Sequence, residues 1–380
     1  MPNLCELEAS CCGCSACADV CPKNAISMAE KDGFLYPQVD SSKCVDCKLC
    51  EKVCSFKGEK ITGSNCLKAF AAKACDDVRM SSSSGGVFTV LSDLILSQGG
   101  VVYGAVYKEV MRVCHTCANS KELRDKMRGS KYIQSDLSGI YRQVAEDLKA
   151  KKKVLFVGVP CQVSALKSFL KCDYNNLYTA DLVCHGVPSN EVWQKFVRCI
   201  NEKYNKTLID YSFRNKQVSW RRYSPKLTFS DGTVVGENNL TASFIELFRY
   251  DVSLRPSCTE CRYSSDHREG DFTMGDFWGI ENLVPEMDDG KGVSALMINS
   301  VKAEELFGAM KEQLLLHECT VENIMARQPN MSRPSKPSVK AQEFKNDLQN
   351  LPFDKVLKKY TRVGLKRRMI DSVKKLLGKQ

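Results

Sequence analysis

Eight cysteines near the N-terminus fall into two runs of one spacing. Cys11, Cys14, Cys17 and Cys21 follow Cys-x2-Cys-x2-Cys-x3-Cys, and Cys44, Cys47, Cys50 and Cys54 repeat it. Three thiolates set two residues apart can converge on one face of an iron–sulfur cuboid, and the fourth cysteine of each run reaches across to the neighbouring cluster. The expected sets are therefore Cys11, Cys14, Cys17 and Cys54 for one [4Fe–4S] cluster, and Cys44, Cys47, Cys50 and Cys21 for the other. Pro22 turns the chain away after the first run, where the second has Ser55. Cys-x2-Cys also binds structural zinc, but zinc takes four ligands. A third evenly spaced cysteine plus a fourth, given twice over, fits cubanes better. The chemistry this implies is one-electron transfer.

A second constellation lies further along. Lys151-Lys152-Lys153 leads into Val154-Leu155-Phe156-Val157-Gly158-Val159, an apolar run typical of a buried parallel strand. Pro160-Cys161 ends it, and Gln162 to Leu170 fits a helix. A second strand, Tyr178 to Val183, ends at Cys184-His185-Gly186, and Ser189 then caps a helix with Trp193, Phe196, Val197 and Ile200 on one face. The short crossover predicts parallel pairing. If the strands are neighbours, Cys161 and Cys184 emerge side by side at their carboxyl ends, where α/β folds bind ligands. Cys258-x2-Cys261 is a further two-ligand hook. Cys114-x2-Cys117 has the same spacing but sits in an alternating, strand-like segment, so these read as half-buried thiols. Pairing of that hook with Cys258 and Cys261 around zinc is the rival scheme. Cys12, beside Cys11, reads as a bystander.

These cysteines need elements to carry them. Ser81-Ser82-Ser83-Ser84-Gly85-Gly86 precedes Val87, Val90, Leu91, Leu94 and Ile95, which is helical spacing, and Gly99-Gly100 supplies the stop. Val101 to Tyr107 reads as a strand. A Ser/Gly entry into a helix presents backbone N–H groups that suit a phosphate or pyrophosphate, although this is neither a Walker loop nor a Gly-x-Gly-x-x-Gly fingerprint. Tyr211 to Trp220 and Lys226 to Val235 read as hairpin strands with Asp231-Gly232 as the turn, and Asp271 to Gly279 as another strand. Gln328 to Ser338, with Pro329, Pro334 and Pro337, reads as a linker.

Composition bounds the rest. A chain of 380 residues, 43% apolar, predicts two or three globular domains. Twenty-one cysteines without an opening signal sequence argue for a reducing cytoplasm and for metal ligation rather than disulfides. The longest apolar candidate for a membrane span, Val87 to Leu96, is short and contains Asp93. The net charge of +10 is concentrated at the C-terminus: from Lys355 onward ten Lys or Arg face one Asp, which is +9. A nearly neutral body argues against nucleic acid. Val363, Met369, Ile370, Val373, Leu376 and Leu377 recur at helical spacing within that tail, so a basic amphipathic helix is expected, suited to an anionic membrane surface or an acidic partner.

The two cysteine runs resemble bacterial ferredoxins, and several later segments together resemble the beta subunit family of coenzyme F420 hydrogenases and dehydrogenases. These are Ser83-Ser84-Gly85-Gly86-Val87, Arg128-Gly129-Ser130-Lys131-Tyr132, Gly158-Val159-Pro160-Cys161-Gln162, Cys184-His185-Gly186-Val187-Pro188-Ser189, and Cys258 through Gly275-Asp276-Phe277-Trp278-Gly279. The resemblance implies an α+β ferredoxin-like N-terminal domain (residues 1–60), an α/β flavin- and iron–sulfur-binding domain (66–327) and a helical basic C-terminal tail (339–380). It implies Cys161, Cys184, Cys258 and Cys261 as ligands of a third [4Fe–4S] cluster. It also implies that Ser84, Gly85, Gly86 and Val87, with Gly129, Ser130, Lys131 and Tyr132, contact a flavin, FAD in preference to FMN. His185, next to a ligand, is the one candidate for moving a proton or tuning a cluster.

A flavin is the physical complement of such clusters, because they carry single electrons while hydride donors give two. Three function classes follow. The first is an oxidoreductase joining a two-electron substrate, with coenzyme F420 as one candidate, to one-electron carriers. The second is an electron-transfer subunit serving a partner protein, and the third is an interaction module with structural clusters.

Overall fold

The computed structural model describes residues 4, 9–57, 63–217, 219–222 and 224–363. Its first part is small and held by few apolar contacts. Strands β1 (Ile26–Lys31) and β2 (Phe34–Val39) pair antiparallel across Asp32 and Gly33, both at positive φ (54° and 77°), the backbone that a tight two-residue hairpin requires. Two four-residue helices, Ala16–Asp19 and Leu49–Lys52, flank the hairpin. Each cysteine run bends in the same way: Gly13 and Ser15 in the first, Asp46 and Lys48 in the second, all lie at φ between 53° and 67°. Left-handed residues at alternate positions turn backbone N–H groups inward into a concavity that favours an anion.

An eight-stranded sheet forms the centre of the chain. Its strands are β3 (Lys68–Lys73), β4 (Val101–Tyr107), β5 (Val113–Ala118), β6 (Val154–Gly158), β7 (Leu177–Leu182), β11 (Phe272–Asp276), β12 (Ser294–Ile298) and β13 (Leu315–Cys319). The spatial order is β13-β3-β12-β11-β7-β6-β4-β5. The middle four, β11, β7, β6 and β4, run parallel, and β12 and β5 pair antiparallel at their flanks. The pleat sends alternate residues to opposite faces. Val102, Val106 and Leu155 pack against the helices Val87–Ser97 and Val301–Met310. Val101, Tyr103, Val154 and Phe156 pack against Ile140–Lys149 and Pro160–Leu170. Ala16 and Val53 of the N-terminal part bury into this second layer, which seats that part on the sheet.

A satellite sheet of β8 (Leu208–Ser212), β9 (Lys226–Phe229) and β10 (Val234–Val235) packs with the helix Asn190–Tyr204. Here the expected hairpin is corrected. Asp231-Gly232 joins β9 to the two-residue β10, and β9 pairs on its other side with β8, which ends at Ser212. Beyond it Arg214 and Lys216 turn inward to polar partners, so Phe213 to Gln217 does not continue the ladder.

The segment expected as a linker is packed: Met331 is buried and Ser335 donates to the carbonyl of His185 (2.6 Å). The helices Ala341–Asn350 and Phe353–Tyr360 bury Phe344, Leu348, Val356 and Leu357 in the satellite core. Residues 364–380, which carry most of the expected amphipathic helix, lie outside the described residues. Among the described residues no helix is long and apolar enough to cross a membrane.

Candidate redox centre

Cys21, Cys44, Cys47 and Cys50 line one cavity, together with Pro22, Val45 and Lys48. Cys47 is exposed, so this cavity faces outward. The other four thiols of the two runs gather deeper. Burial raises the Cys17 thiol well above its ordinary range, and its neighbours Cys14, Cys11 and Cys54 raise it further. Four thiols in mutual electrostatic reach and short of water resist ionising together, and metal ligation is the chemistry that relieves this. Backbone N–H groups already point at sulfur, from Gly13 to Cys11 Sγ (3.4 Å) and from Ala25 to Cys21 Sγ (3.3 Å).

The sheet makes the next cavity. With β6 and β7 adjacent and parallel, Cys161 and Cys184 leave the same edge, one at the start of the helix Pro160–Leu170 and one just past β7. The short helix Pro256–Thr259 brings Cys258 over them. All four of Cys161, Cys184, Cys258 and Cys261 line one cavity. Burial pushes the Cys184 thiol up to about 12 and Cys258 up to about 11, and the facing thiols add to both. Gly186 is required here: at φ 136° a side chain would meet Cys258 Cβ at 3.2 Å.

Residues that motif spacing did not flag support this cavity. Asp181, fully buried, accepts from Arg268 Nη2 (2.8 Å), Thr273 Oγ1 (2.8 Å) and the N–H groups of Glu269 (2.9 Å) and Gly270 (2.8 Å). That cluster fixes the end of β7, and Arg268 lines the cavity. His185 also lines it, with Nε2 hydrogen-bonded to Asp251 Oδ1 (2.6 Å). Fully buried Arg255 donates to the carbonyls of Cys11 (2.6 Å) and Leu35 (2.8 Å) and to Gln134 Oε1 (2.9 Å). Arg142 similarly donates to the carbonyls of Ala18 (3.2 Å) and Cys21 (3.0 Å). Asp19 accepts from the N–H groups of Gly139 (2.7 Å) and Tyr141 (3.0 Å) at the start of the helix Ile140–Lys149. Cys12 lines the four-thiol cavity as well.

Cys114 and Cys117 stand apart from all this. Three residues apart on β5, they lie on opposite faces of the sheet, Cys114 against one core layer and Cys117 against the other. The rival zinc scheme fails on that geometry. Among the described residues no three His, Cys, Asp or Glu side chains converge on a single-ion site. Cubane thiolates each bind a different iron and stand farther apart than that.

Ser83, just before the first stretch expected to contact a flavin (Ser84–Val87), meets the second, since Ser130 N–H donates to Ser83 Oγ (2.7 Å). The two glycines of the first stretch sit tightly against the sheet. A Cβ on Gly85 would lie 2.2 Å from the Ala72 carbonyl, and its N–H donates to Ser294 Oγ (2.8 Å). Gly86, at φ 89°, faces Val78 and Ala74. Both are close-packed against the protein's own atoms. Ser84 donates to the Val293 carbonyl (2.9 Å), and Val87 is buried. Gly129, at φ 79°, has open space where a Cβ would stand. Lys131, lowered to about 8 by burial, donates to the carbonyls of Lys126, Arg128 and Gly129. Tyr132 begins a polar chain in which Arg214 Nη1 reaches its hydroxyl (3.4 Å) and Asp276 Oδ2 (2.7 Å), and the guanidinium lies over Trp278.

Comparison with known proteins gives the following. Residues 10–57 match the 4Fe–4S dicluster domain. Residues 151–323 match the family described as the C terminus of the coenzyme F420 hydrogenase/dehydrogenase beta subunit. An uncharacterized protein of Methanocaldococcus jannaschii is 27% identical over 197 residues, 43% of this chain; the match spans about half (53%) of that relative's length. A chain from the F420-reducing [NiFe] hydrogenase complex of Methanosarcina barkeri aligns at 17% identity with a TM-score of 0.45, covering 78% of this chain and 91% of that one. Residues 10–57, which carry both cysteine runs, thus match the 4Fe–4S dicluster domain, and residues 151–323, which carry the four cysteines of the cavity, match the C terminus of the coenzyme F420 hydrogenase/dehydrogenase beta subunit.

Proposed function

We propose that this chain is an iron–sulfur flavoprotein oxidoreductase that passes electrons between a two-electron carrier and one-electron carriers. The observation that carries the reading is the cavity at the ends of β6 and β7, where four cysteines from three separate segments converge beside the dicluster domain. Cys161, Cys184, Cys258 and Cys261 are taken as the ligands of a third [4Fe–4S] cluster. Cys11, Cys14, Cys17 and Cys54 hold the cluster next to it, and Cys21, Cys44, Cys47 and Cys50 the outer one. The order runs from the buried cavity to exposed Cys47, so the outer cluster is the port for a soluble one-electron partner.

FAD would supply the exchange between one hydride and two single electrons. Its place in this reading is where the turn at Ser83–Val87 meets Gly129–Tyr132. Support comes from the open side of Gly129. It comes also from two buried polar atoms near the Tyr132–Arg214 chain, Asp276 Oδ1 and Trp220 Nε1, which lack a hydrogen-bond partner among the described residues. A deazaflavin such as coenzyme F420 is the two-electron partner suggested by the matched family. Anaerobic purification, a flavin assay and an absorbance screen of the isolated chain against F420, nicotinamides and viologens test the reading. Bound flavin with reduction of one of these carriers is expected; a flavin-free protein inert to all of them would contradict it.

A further inference from the structure

A lysine is buried beside the turn at Ser83–Val87. Lys216 lies past the end of β8 and is 5% exposed. Its Nζ donates to the carbonyls of Arg79 (2.7 Å), in the helix Asp76–Met80, of Lys291 (2.8 Å), in the loop before β12, and of Ser84. The carboxylates nearby are already engaged: Asp289 accepts from Arg79 Nη1 (2.7 Å) and Lys73 Nζ (3.2 Å), and Asp276 from Arg214 Nη1 (2.7 Å). Burial lowers Lys216 to about 7; Asp276 and Asp289 oppose that fall, and Arg214 and Arg79 add to it. The backbone makes room for the ammonium. At Gly292, φ 101°, a Cβ would stand 3.0 Å from Lys216 Nζ, and the Gly292 carbonyl accepts from Arg79 Nε (3.1 Å). A buried charge without a carboxylate of its own is costly, and what offsets the cost here is the three carbonyls it gathers.

We propose that Lys216 is a positioning residue for the flavin, its ammonium drawing the turn at Ser83–Val87 onto the loop before β12 and so fixing the side of the turn that meets Gly129–Tyr132. This rests on the flavin placement above. The Ser84 carbonyl and the Gly85 N–H belong to one peptide plane. Lys216 holds its oxygen, and Ser294 Oγ accepts from its N–H (2.8 Å), so the plane is fastened at both ends. Ser84 Oγ adds a third tie, to the Val293 carbonyl (2.9 Å). Ser83, one residue back, is thereby aimed at the Ser130 N–H (2.7 Å), the contact that joins the two stretches. An apolar side chain of similar size would fill the space and leave the three carbonyls without their donor, which a buried acceptor does not tolerate cheaply.

The test uses the full chain, reconstituted anaerobically with FAD, as wild type, Lys216→Met and Lys216→Gln, with flavin and iron content and hydrogen exchange across residues 79–87. Methionine fills a similar volume and donates nothing, whereas glutamine keeps an amide donor on a shorter side chain. Iron content should equal that of wild type in both variants. Flavin content and protection of the turn should fall severalfold in Lys216→Met and lie between the two in Lys216→Gln. Wild-type flavin or wild-type protection in Lys216→Met overturns the proposal, as does loss of iron along with flavin in both variants, which would make Lys216 a support of the whole fold. A wild type that binds no flavin would refute the flavin reading itself, and this inference with it.

Discussion

Arg255 donates from Nε to the carbonyl of Cys11 at 2.6 Å, and so one fully buried guanidinium ties the loop carrying Cys258 to the first cysteine of the dicluster domain. The same side chain reaches Leu35 and Gln134 and lies over the ring of Tyr36 at 4.5 Å. Its planar fork aims separate nitrogens at three acceptors on different segments, a spread that the single nitrogen of an ammonium does not span.

Arg255→Ala is therefore expected to loosen the dicluster domain by about 3 kcal/mol or more, because buried acceptors lose charged partners. Arg255→Lys should recover little of this. Hydrogen exchange across residues 10–57 measures it, and wild-type protection in Arg255→Ala would contradict the docking role.

Asp181 is surrounded by donors alone: a guanidinium, a hydroxyl and two backbone N–H groups. Asp181→Asn places an amide N–H₂ against one of those donors and leaves Arg268 buried without its counter-charge. Removing one partner of a buried pair costs about 3–5 kcal/mol. Thermal unfolding should show that loss, together with weakened iron retention at the end of β7. A melting point equal to wild type would show that the cluster of donors is not what holds the strand end.

Much of this is legible in the sequence. The uninterrupted run at Val154 and the crossover to Tyr178 place Cys161 and Cys184 on one sheet edge, and cysteine spacing separates the dicluster domain from the rest. Arg255 and Asp181 are not legible, since an arginine between Leu254 and Pro256 or an aspartate at a strand end carries no periodic signal. Cys12 escapes a reading by spacing, which describes a run from within, whereas the place of Cys12 depends on a strand end about 150 residues away. The region around Arg214 defeats an alternation argument because buried cations there answer to carbonyl and carboxylate partners.

His115 gives a pH signature. Buried, it is lowered to about 4, with Nε2 donating to the Val157 carbonyl (2.9 Å) and Nδ1 hydrogen-bonded to Ser135 Oγ (2.7 Å). Its folded value lies below the unfolded value near 6.5, so the unfolded chain binds the extra proton first as pH falls. Stability is full above about pH 6.5 and declines toward pH 4, by roughly 3 kcal/mol over the window. Denaturant titrations of wild type and His115→Gln between pH 5 and 7 should show the steeper decline in wild type. Parallel profiles would remove His115 from the acid response.

For flavin, Gly86→Val is uninformative, because the positive φ and the contacts to Val78 and Ala74 strain the fold whatever binds. Ser83→Ala is the sharper variant, since it removes the acceptor of the Ser130 N–H and little else. Flavin content should drop severalfold, with iron unchanged. Full flavin retention would move the site elsewhere.

The central claim is that Cys161, Cys184, Cys258 and Cys261 hold a third cubane, and counting iron tests it most directly. Anaerobically reconstituted wild type and Cys114→Ala should each hold about twelve irons, and Cys184→Ala about eight. About eight irons in wild type, or no loss of iron in Cys184→Ala, would contradict the account.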